Sequence, residues 1–201
     1  DVYKRQLERY ISLKRGVRYN TTTGYKFVMS VVKKESFGQR IIRDIKMSDA
    51  KLWFIKLYDD GYSYSTIASI RGVVKPAFQM AYTEDIIRRN PFEFRLDIIP
   101  NNTQKRVALS PKQQEQFLEF TKNDKHFCRY LDEIKILLGT GMRISELCGL
   151  TIADLDFDRR RIRVDHQLVR TQDGKRYIEK TKTECGCRYI PMSDEVYESF
   201  Y

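Results

Sequence analysis

The chain has 201 residues, 41% hydrophobic and 32% charged, which is enough apolar content to bury a core and argues against disorder. No run approaches the ~18–20 apolar residues of a membrane-spanning helix, and the opening "DVYKRQLERY" has no apolar stretch of the signal-peptide kind. The net charge of +10 is uneven: residues 1–105 hold 20 Lys+Arg against 11 Asp+Glu and the rest hold 17 against 16, so a polyanionic partner is expected, nucleic acid before an anionic membrane surface, with a solvated basic face as the plain alternative.

In chain order, the first half reads as helical. "NTTTGYKFVMSVVKKES" offers Thr21 to Thr23 as caps, then Tyr25, Val28, Val31 and Val32 at helical spacing. "KMSDAKLWFIKLYDDG" offers Ser48 as N-cap, a buried stripe through Leu52, Ile55 and Phe54 or Leu57, and Gly61 as the stop. "YSYSTIASIRGVVKPAFQMAYTEDII" puts Ile67, Ile70, Val73 or Val74, Ala77, Phe78 and Ala81 on one face, with Pro76 expected to kink or break the helix. "RRNPF" ends that segment, because a residue before proline avoids the helical region.

This pattern implies a helical unit over residues 1–100, a linker over 101–108 and a second unit over 109–201. The linker is polar and carries Lys105 and Arg106. The second unit opens with a capping box: Ser110 at the N-cap, Pro111 at N1 and Gln113 at N3. A helix through Ile134, Leu137 and Leu138 is followed by a change of period after Leu155. "RRRIRVDHQLV" alternates at Ile162 and Val164, Asp173-Gly174 makes a hairpin turn, and "RYIEKTK" and "CRYIPM" supply two more strands. Ser193 caps a last helix. The expected fold is mainly α with a small antiparallel β-meander. The chain lacks an initiator Met and stops at "YESFY" as that helix starts, so both ends read as cut.

Cys128 and Cys148 lie in apolar helical contexts and read as core thiols. Cys185 and Cys187 in "ECGCR" offer two ligands, with only His126 and His166 to add. A structural zinc site wants four ligands at suitable spacing, so no metal or other cofactor is expected, and the thiols read as reduced in a cytoplasm.

"LLGTGMRISELCGL", Leu137 to Leu150, places a full charge, Arg143, at a tight turn between apolar segments. Taken alone, Arg143 is a surface arginine whose stem covers leucines. Three features point elsewhere. Gly139 and Gly141 let the backbone pass close to a ligand. Glu146 lies one helical turn on and is placed to orient neighbouring cations. A guanidinium fork matches two oxygens of one phosphate. Together they describe a phosphate clamp.

With "TGMRISELCGLTIADLDF", the stretch resembles the first catalytic box of the tyrosine recombinases, the integrases of temperate phage and conjugative transposons, and is most like the latter. The family's next landmark is a lysine on a hairpin turn, then a basic residue and Ile-Pro. "EKTKTECGCRYIPM" matches it, with Lys182 at the lysine position and Arg188 before Ile190-Pro191. Lys180 and Lys175 are the rivals if the register differs. Residues 1–100 resemble the family's helical, SAM-like core-binding domain, and residues 109–201 the first half of its mixed α/β catalytic domain.

What the resemblance implies is a site-specific DNA recombinase. A tyrosine attacks a phosphodiester, giving a 3′-phosphotyrosyl link and a free 5′-hydroxyl. Arg143 would hold the nonbridging oxygens, Lys182 would protonate the leaving oxygen, and Glu146 would hold the clamp's geometry, with no metal. The implied partner is the double-stranded core recombination site, gripped between the two units, with a tetramer of the intact protein on DNA in a bacterial cytoplasm, nucleoid-associated, and no membrane. Contact candidates are Thr22, Lys26, Ser65, Thr66, Arg71 and Lys75, plus Lys105 and Arg106; Arg71 or Lys75 could instead pack on the helix face.

The sequence departs from the family after the hairpin, where a His-x-x-Arg box and the nucleophilic tyrosine are expected. "HFCR", His126 to Arg129, has that spacing but precedes Arg143 and reads as a chance match in a helix. His166 has no arginine three residues on. Of the 13 tyrosines none lies in the expected late position, Tyr197 and Tyr201 being too early. The nucleophile is therefore expected outside this chain, which would bind DNA without cleaving it. The competing reading is a non-catalytic DNA-binding protein that occupies recombination sites.

Overall fold

A computed structural model describes residues 3–181 and 186–201. The chain divides into two compact units, Asp1–Arg106 and Val107–Tyr201. No helix among the described residues is long and apolar enough to cross a membrane.

Among the described residues the first unit has four α-helices, α1 (Tyr3–Ser12), α2 (Tyr19–Lys34), α3 (Met47–Asp59) and α4 (Tyr64–Thr83), with two short 3₁₀ turns between α2 and α3. Its core is aromatic. Phe37 stacks on Trp53 at 4.7 Å, Tyr3 meets Phe78 at 5.0 Å and Phe78 meets Phe92 at 4.9 Å between ring centroids. α1 adds a stripe of its own at helical spacing: Tyr3 and Leu7 are fully buried, Tyr10 and Ile11 pack half-buried on the same core, and Gln6 donates a hydrogen bond to the carbonyl of Ala77 at 3.0 Å.

Several expectations for this unit need correction. α2 starts at Tyr19, with Arg18 as an N-cap whose side chain does not cap the helix, so Thr21 to Thr23 lie inside the helix. The N-cap of α3 is Lys46 rather than Ser48, because Asp49 accepts the Lys46 N–H at 2.8 Å. The buried stripe of α3 is Ala50, Trp53, Phe54 and Leu57, a clean i, i+3, i+4, i+7 set that leaves Leu52 64% exposed. α4 runs unbroken through Pro76. Proline costs a helix interior about 3 kcal/mol, but Ile67, Ile70 and Val74 before it and Ala77, Phe78 and Ala81 after it all bury in one core. The expected stripe of α4 and the stop at Gly61, with φ of 91°, are as read.

The second unit has α5 (Pro111–Asn123), α6 (Leu131–Thr140), the single turn α7 (Ile144–Leu147) and α8 (Asp194–Phe200). Its strands are β1 (Leu155–Asp156), β2 (Arg161–Val164), β3 (His166–Arg170), β4 (Arg176–Lys180) and β5 (Arg188–Pro191). Ser110 and Gln113 form the reciprocal capping box, at 3.3 and 2.9 Å. The strands are not a meander. One antiparallel sheet has the order β1-β2-β5, and β3-β4 is a separate hairpin. The long alternating run breaks at Asp165: Ile162 and Val164 face the core on even positions, whereas Val169 is the buried residue of β3 on an odd one. The chain leaves the first sheet there, makes the hairpin with Gly174 at φ of 82°, and returns as β5 to pair Ile190 with Ile162. The core is small: Ile136, Met142, Ile162, Val164, Met192 and Val196.

Cys128 and Cys148 are exposed, not core thiols. Cys128 lies on a 3₁₀ turn before α6, and Cys148 caps a helix whose one buried position is Glu146. "HFCR" is part of that same exposed turn, with Arg129 against the His126 ring at 3.2 Å.

Candidate active site

α6 runs through Gly139 and ends at Thr140. Gly139 is needed for helix packing, since a Cβ there would lie 2.6 Å from Val196 Cγ2 of α8. Gly141 provides the turn: its φ is 64°, and its N–H caps the carbonyl of Leu137 at 3.0 Å. The chain re-enters a helix two residues later with Arg143 at the N-cap.

Glu146 organises the cations around this turn. Its carboxylate accepts the Arg143 backbone N–H at 2.9 Å and the Arg143 Nη1–H at 2.8 Å. From β5, Arg188 donates Nη1 to Oε1 at 3.2 Å and Nη2 to Oε2 at 2.8 Å. The Glu146 side chain is 3% exposed, that of Arg188 31% and that of Arg143 72%. The bidentate bond from Arg188, helped by the Arg143 donors against the cost of burial, holds the Glu146 carboxyl at about 2. One buried anion thus steers two guanidiniums, and the more exposed of them remains open to solvent for a further anion.

A second buried carboxylate stands behind this array. Asp154 accepts the N–H and hydroxyl of Thr151 at 2.9 and 2.7 Å, and Arg163 Nη2 at 2.7 Å. Burial works against its ionisation, but the Thr151 and Arg163 bonds win and hold it at about 2. His166 adjoins it, with Nε2 at 3.8 Å from Asp154, 2.7 Å from the Gly149 carbonyl, and Nδ1 at 2.5 Å from Asp165. The Asp165 carboxylate, with Gly149 and Asp154, raises the imidazole above its ordinary value despite burial. Potential ligand atoms of Asp154, Asp165 and His166 come within 4.8 Å of one another, yet they are spent on Arg163, Thr151, Gly149 and each other, so the group is an ion-pair network.

Of the residues singled out from sequence, Arg143 and Glu146 are brought together. Lys182 lies outside the described residues, as does Cys185. Of its rivals, Lys180 ends β4 opposite His166, and Lys175 pairs with Asp173 at 3.2 Å in the hairpin turn. Arg188 was legible only as a basic residue before Ile-Pro, and its hold on Glu146 comes from strand pairing. Tyr197 packs its ring on Phe157, and Arg160 lies over it at 4.8 Å.

In the first unit, Lys26 is exposed on α2 one turn beyond Thr22, whose hydroxyl donates to the Arg18 carbonyl. Ser65 and Thr66 sit in the first turn of α4 with their hydroxyls on that of Ser63, at 3.2 and 2.8 Å. Arg71 turns inward to the carbonyls of Phe92 and Phe94, and Lys75 pairs with Glu93 at 2.7 Å. Lys105 and Arg106 are exposed in a tract without regular structure.

In comparison with known proteins, residues 108–201 match the phage integrase family. The chain is 44% identical over 185 residues to the transposase from transposon Tn916 of Enterococcus faecalis, covering 92% of this chain and 46% of that protein. It is equally similar to the transposase from transposon Tn1545 of Streptococcus pneumoniae. The chain spans about half the length of these curated relatives. Among solved structures it is similar to the Tn1549 transposon integrase in complex with a circular intermediate DNA, with a TM-score of 0.95 and 42% identity, covering 99% of this chain and 63% of that one. A lambda integrase tetramer bound to a Holliday junction shares the fold, with a TM-score of 0.67, 18% identity, and coverage of 98% and 53%.

Proposed function

The chain belongs to the phage integrase family, the tyrosine recombinases, and on that premise we propose that it supplies the DNA-binding unit and the arginine half of the active site of a site-specific recombinase of a mobile element. The observation that carries this reading is Glu146, buried and ionised, bonded to both Arg143 and Arg188 while Arg143 stays 72% exposed. That is how a positive fork is pre-aimed at a phosphate without being neutralised by its own anchor.

The division of labour comes from charge. A tyrosine oxygen attacks a DNA phosphorus, the transition state gains negative charge on its nonbridging oxygens, and the 5′-oxygen leaves with a proton. Arg143 meets that charge, a contribution typically worth roughly 10² to 10³ in rate per donor. Lys182 gives the proton. Glu146 and Arg188 keep the guanidinium in place. We assign the tyrosine and the His-x-x-Arg box to other residues of the whole protein, and to this chain the binding of core-site DNA. Thr22, Lys26, Ser65, Thr66, Lys105 and Arg106 are the contacts we assign to DNA, with Arg71 and Lys75 bracing the helix that presents them. The whole protein works as a tetramer on two core sites, in the bacterial cytoplasm on the nucleoid.

The test is Arg143→Ala in the whole protein on a core-site duplex. The expected result is loss of strand cleavage with the DNA Kd unchanged. Equal loss of cleavage and binding would overturn the catalytic reading, and so would a covalent DNA adduct formed by the 201-residue chain by itself.

A further inference from the structure

α7 is a single turn of four residues, too short to hold its own shape, because the first helical turn costs more than it returns. Whatever fixes Arg143 must therefore lie outside the helix. Glu146 and Arg188 fix one side. The other side is fixed by β3. Gly149, directly after α7, approaches β3 so closely that a Cβ there would lie 2.9 Å from Leu168 N and 3.1 Å from the Gln167 backbone. Ser145 bonds Gln167 at 3.1 Å, and Gln167 in turn donates to Glu179 of β4 at 3.1 Å. At the head of β3, His166 closes the contact.

We infer that His166, as an imidazolium donating from both ring nitrogens, is a positioning residue for Arg143: it fixes the Gly149 turn on β3 and so sets where the guanidinium stands. The inference rests on the recombinase reading above. Its chemistry is one of counting donors. Nδ1 faces the Asp165 carboxylate and Nε2 faces the Gly149 carbonyl, and neither partner has a proton to give. A neutral imidazole carries one N–H. It would keep the bond to the carboxylate and turn a lone pair on the Gly149 oxygen. Only the cation satisfies both. The charged groups around it favour that form: Asp165 and Asp154 face the ring, and Arg163 is shared between them at 3.6 and 2.7 Å. The neighbouring Thr181 N–H bonds the Asp165 carbonyl at 3.0 Å, so the base of the hairpin that precedes Lys182 is tied to the same point.

Because the folded-state value lies above the unfolded one, the cross-link is fully present below about 6.5 and is lost as pH rises through the folded value. Two measurements test this. Long-range ¹H–¹⁵N NMR on the 201-residue chain, assigned with a His126→Asn variant, should show both His166 nitrogens protonated in most molecules at about pH 6.5, where a free imidazole is about half protonated; one protonated and one bare nitrogen in most molecules at that pH would overturn the inference. In the whole protein, His166→Gln keeps one donor and no charge. Its cleavage rate should fall about 10- to 100-fold with the DNA Kd unchanged, and it should lose the alkaline decline that the unsubstituted protein shows through the His166 titration. A His166→Gln rate and pH profile matching the unsubstituted protein overturns the role of His166. Arg143→Ala in the same assay separates the two levels: if it cleaves normally, the recombinase reading fails, and if it is dead while His166→Gln is normal, only this inference fails.

Discussion

The N-terminal unit is built ring on ring, with Tyr3, Phe37, Trp53, Phe54, Phe78 and Phe92 in mutual contact and all buried. The C-terminal unit has no aromatic residue among the six buried hydrophobics of its core, and instead buries two carboxylates, Glu146 against Arg143 and Arg188 and Asp154 against Arg163 and Thr151. On the recombinase reading proposed above, the difference follows from what each unit must present. A DNA-binding surface needs only a stable body whose outer charges stay free, and apolar packing provides that without using cations. A phosphate clamp needs guanidiniums at fixed angles, and a buried anion with defined lone pairs orients them where a hydrophobic core cannot. The first unit, whose one depressed carboxylate among the described residues is the partly exposed Asp49 beside Arg40, should therefore respond less to acid than the second.

The largest expected effect breaks the first unit alone. Phe78 is fully buried and touches both Tyr3 and Phe92, so Phe78→Ala should cost about 3–5 kcal/mol. Differential scanning calorimetry should show the transition of the first unit lowered and that of the second unmoved. A single shifted transition for the whole chain would mean that the two units do not melt independently.

Next comes Glu146→Gln, which removes the anion and leaves two guanidiniums facing an amide. With Glu146 held at about 2 against an ordinary value near 4.3, the ion should contribute roughly 2–3 kcal/mol at neutral pH. Because the folded value is depressed, that contribution is complete above the unfolded value and is lost as pH falls towards 2. Asp154 behaves the same way. Acid titration between pH 5 and pH 2 should therefore weaken the C-terminal unit first, and Glu146→Gln should flatten that slope by about half. An equally steep slope in the variant would show that the Arg143–Glu146–Arg188 array does not carry it.

Gly139→Ala should come third, at about 1–3 kcal/mol in the C-terminal unit, because the added methyl must displace Val196. Gly141→Ala meets no atom within 4 Å but forces an L-residue to a φ of 64°, so it should cost about 1 kcal/mol through backbone strain alone. Comparing thermal midpoints of the two variants separates packing from cap. If Gly141→Ala proved the worse, the α6–α8 contact would be looser than its geometry implies.

What was legible in the sequence was whatever is local. Ser110 and Gln113 announce a capping box because both partners lie within one turn. Arg143 and Glu146 meet for the same reason, and the stripe of α4 repeats at helical spacing through Ala81. α1 was missed although Tyr3, Leu7, Tyr10 and Ile11 repeat on its core face at helical spacing, because Lys4, Arg5, Glu8 and Arg9 between them make the stretch read as charged surface. The start of α2 was missed because Arg18 caps with backbone only and leaves Thr21 to Thr23 as decoys. Sheet pairing was misread because register joins residues far apart: Arg188 reaches Glu146 across 42 positions and His166 reaches Gly149 across 17. The one sequence clue was the slip in alternation at Asp165.

The smallest effect bears on the surface of the first unit, where a basic count alone cannot say which cations are free. Lys26 is exposed with no partner among the described residues, whereas Lys75 is tied to Glu93 and Arg71 to the Phe92 and Phe94 carbonyls. If Lys26 meets a phosphate, Lys26→Ala should weaken binding of the 201-residue chain to any duplex by a few-fold and lower the slope of log Kd against log salt by about 1. Lys75→Ala should leave that slope unchanged, since its charge is already matched, and Arg71→Ala should act on the thermal midpoint of the first unit instead. Fluorescence anisotropy across a salt series reads all three. Equal slopes for Lys26→Ala and the unsubstituted chain would move the DNA-facing surface off α2, and a reduced slope for Lys75→Ala would mean that the Glu93 pair opens when DNA binds.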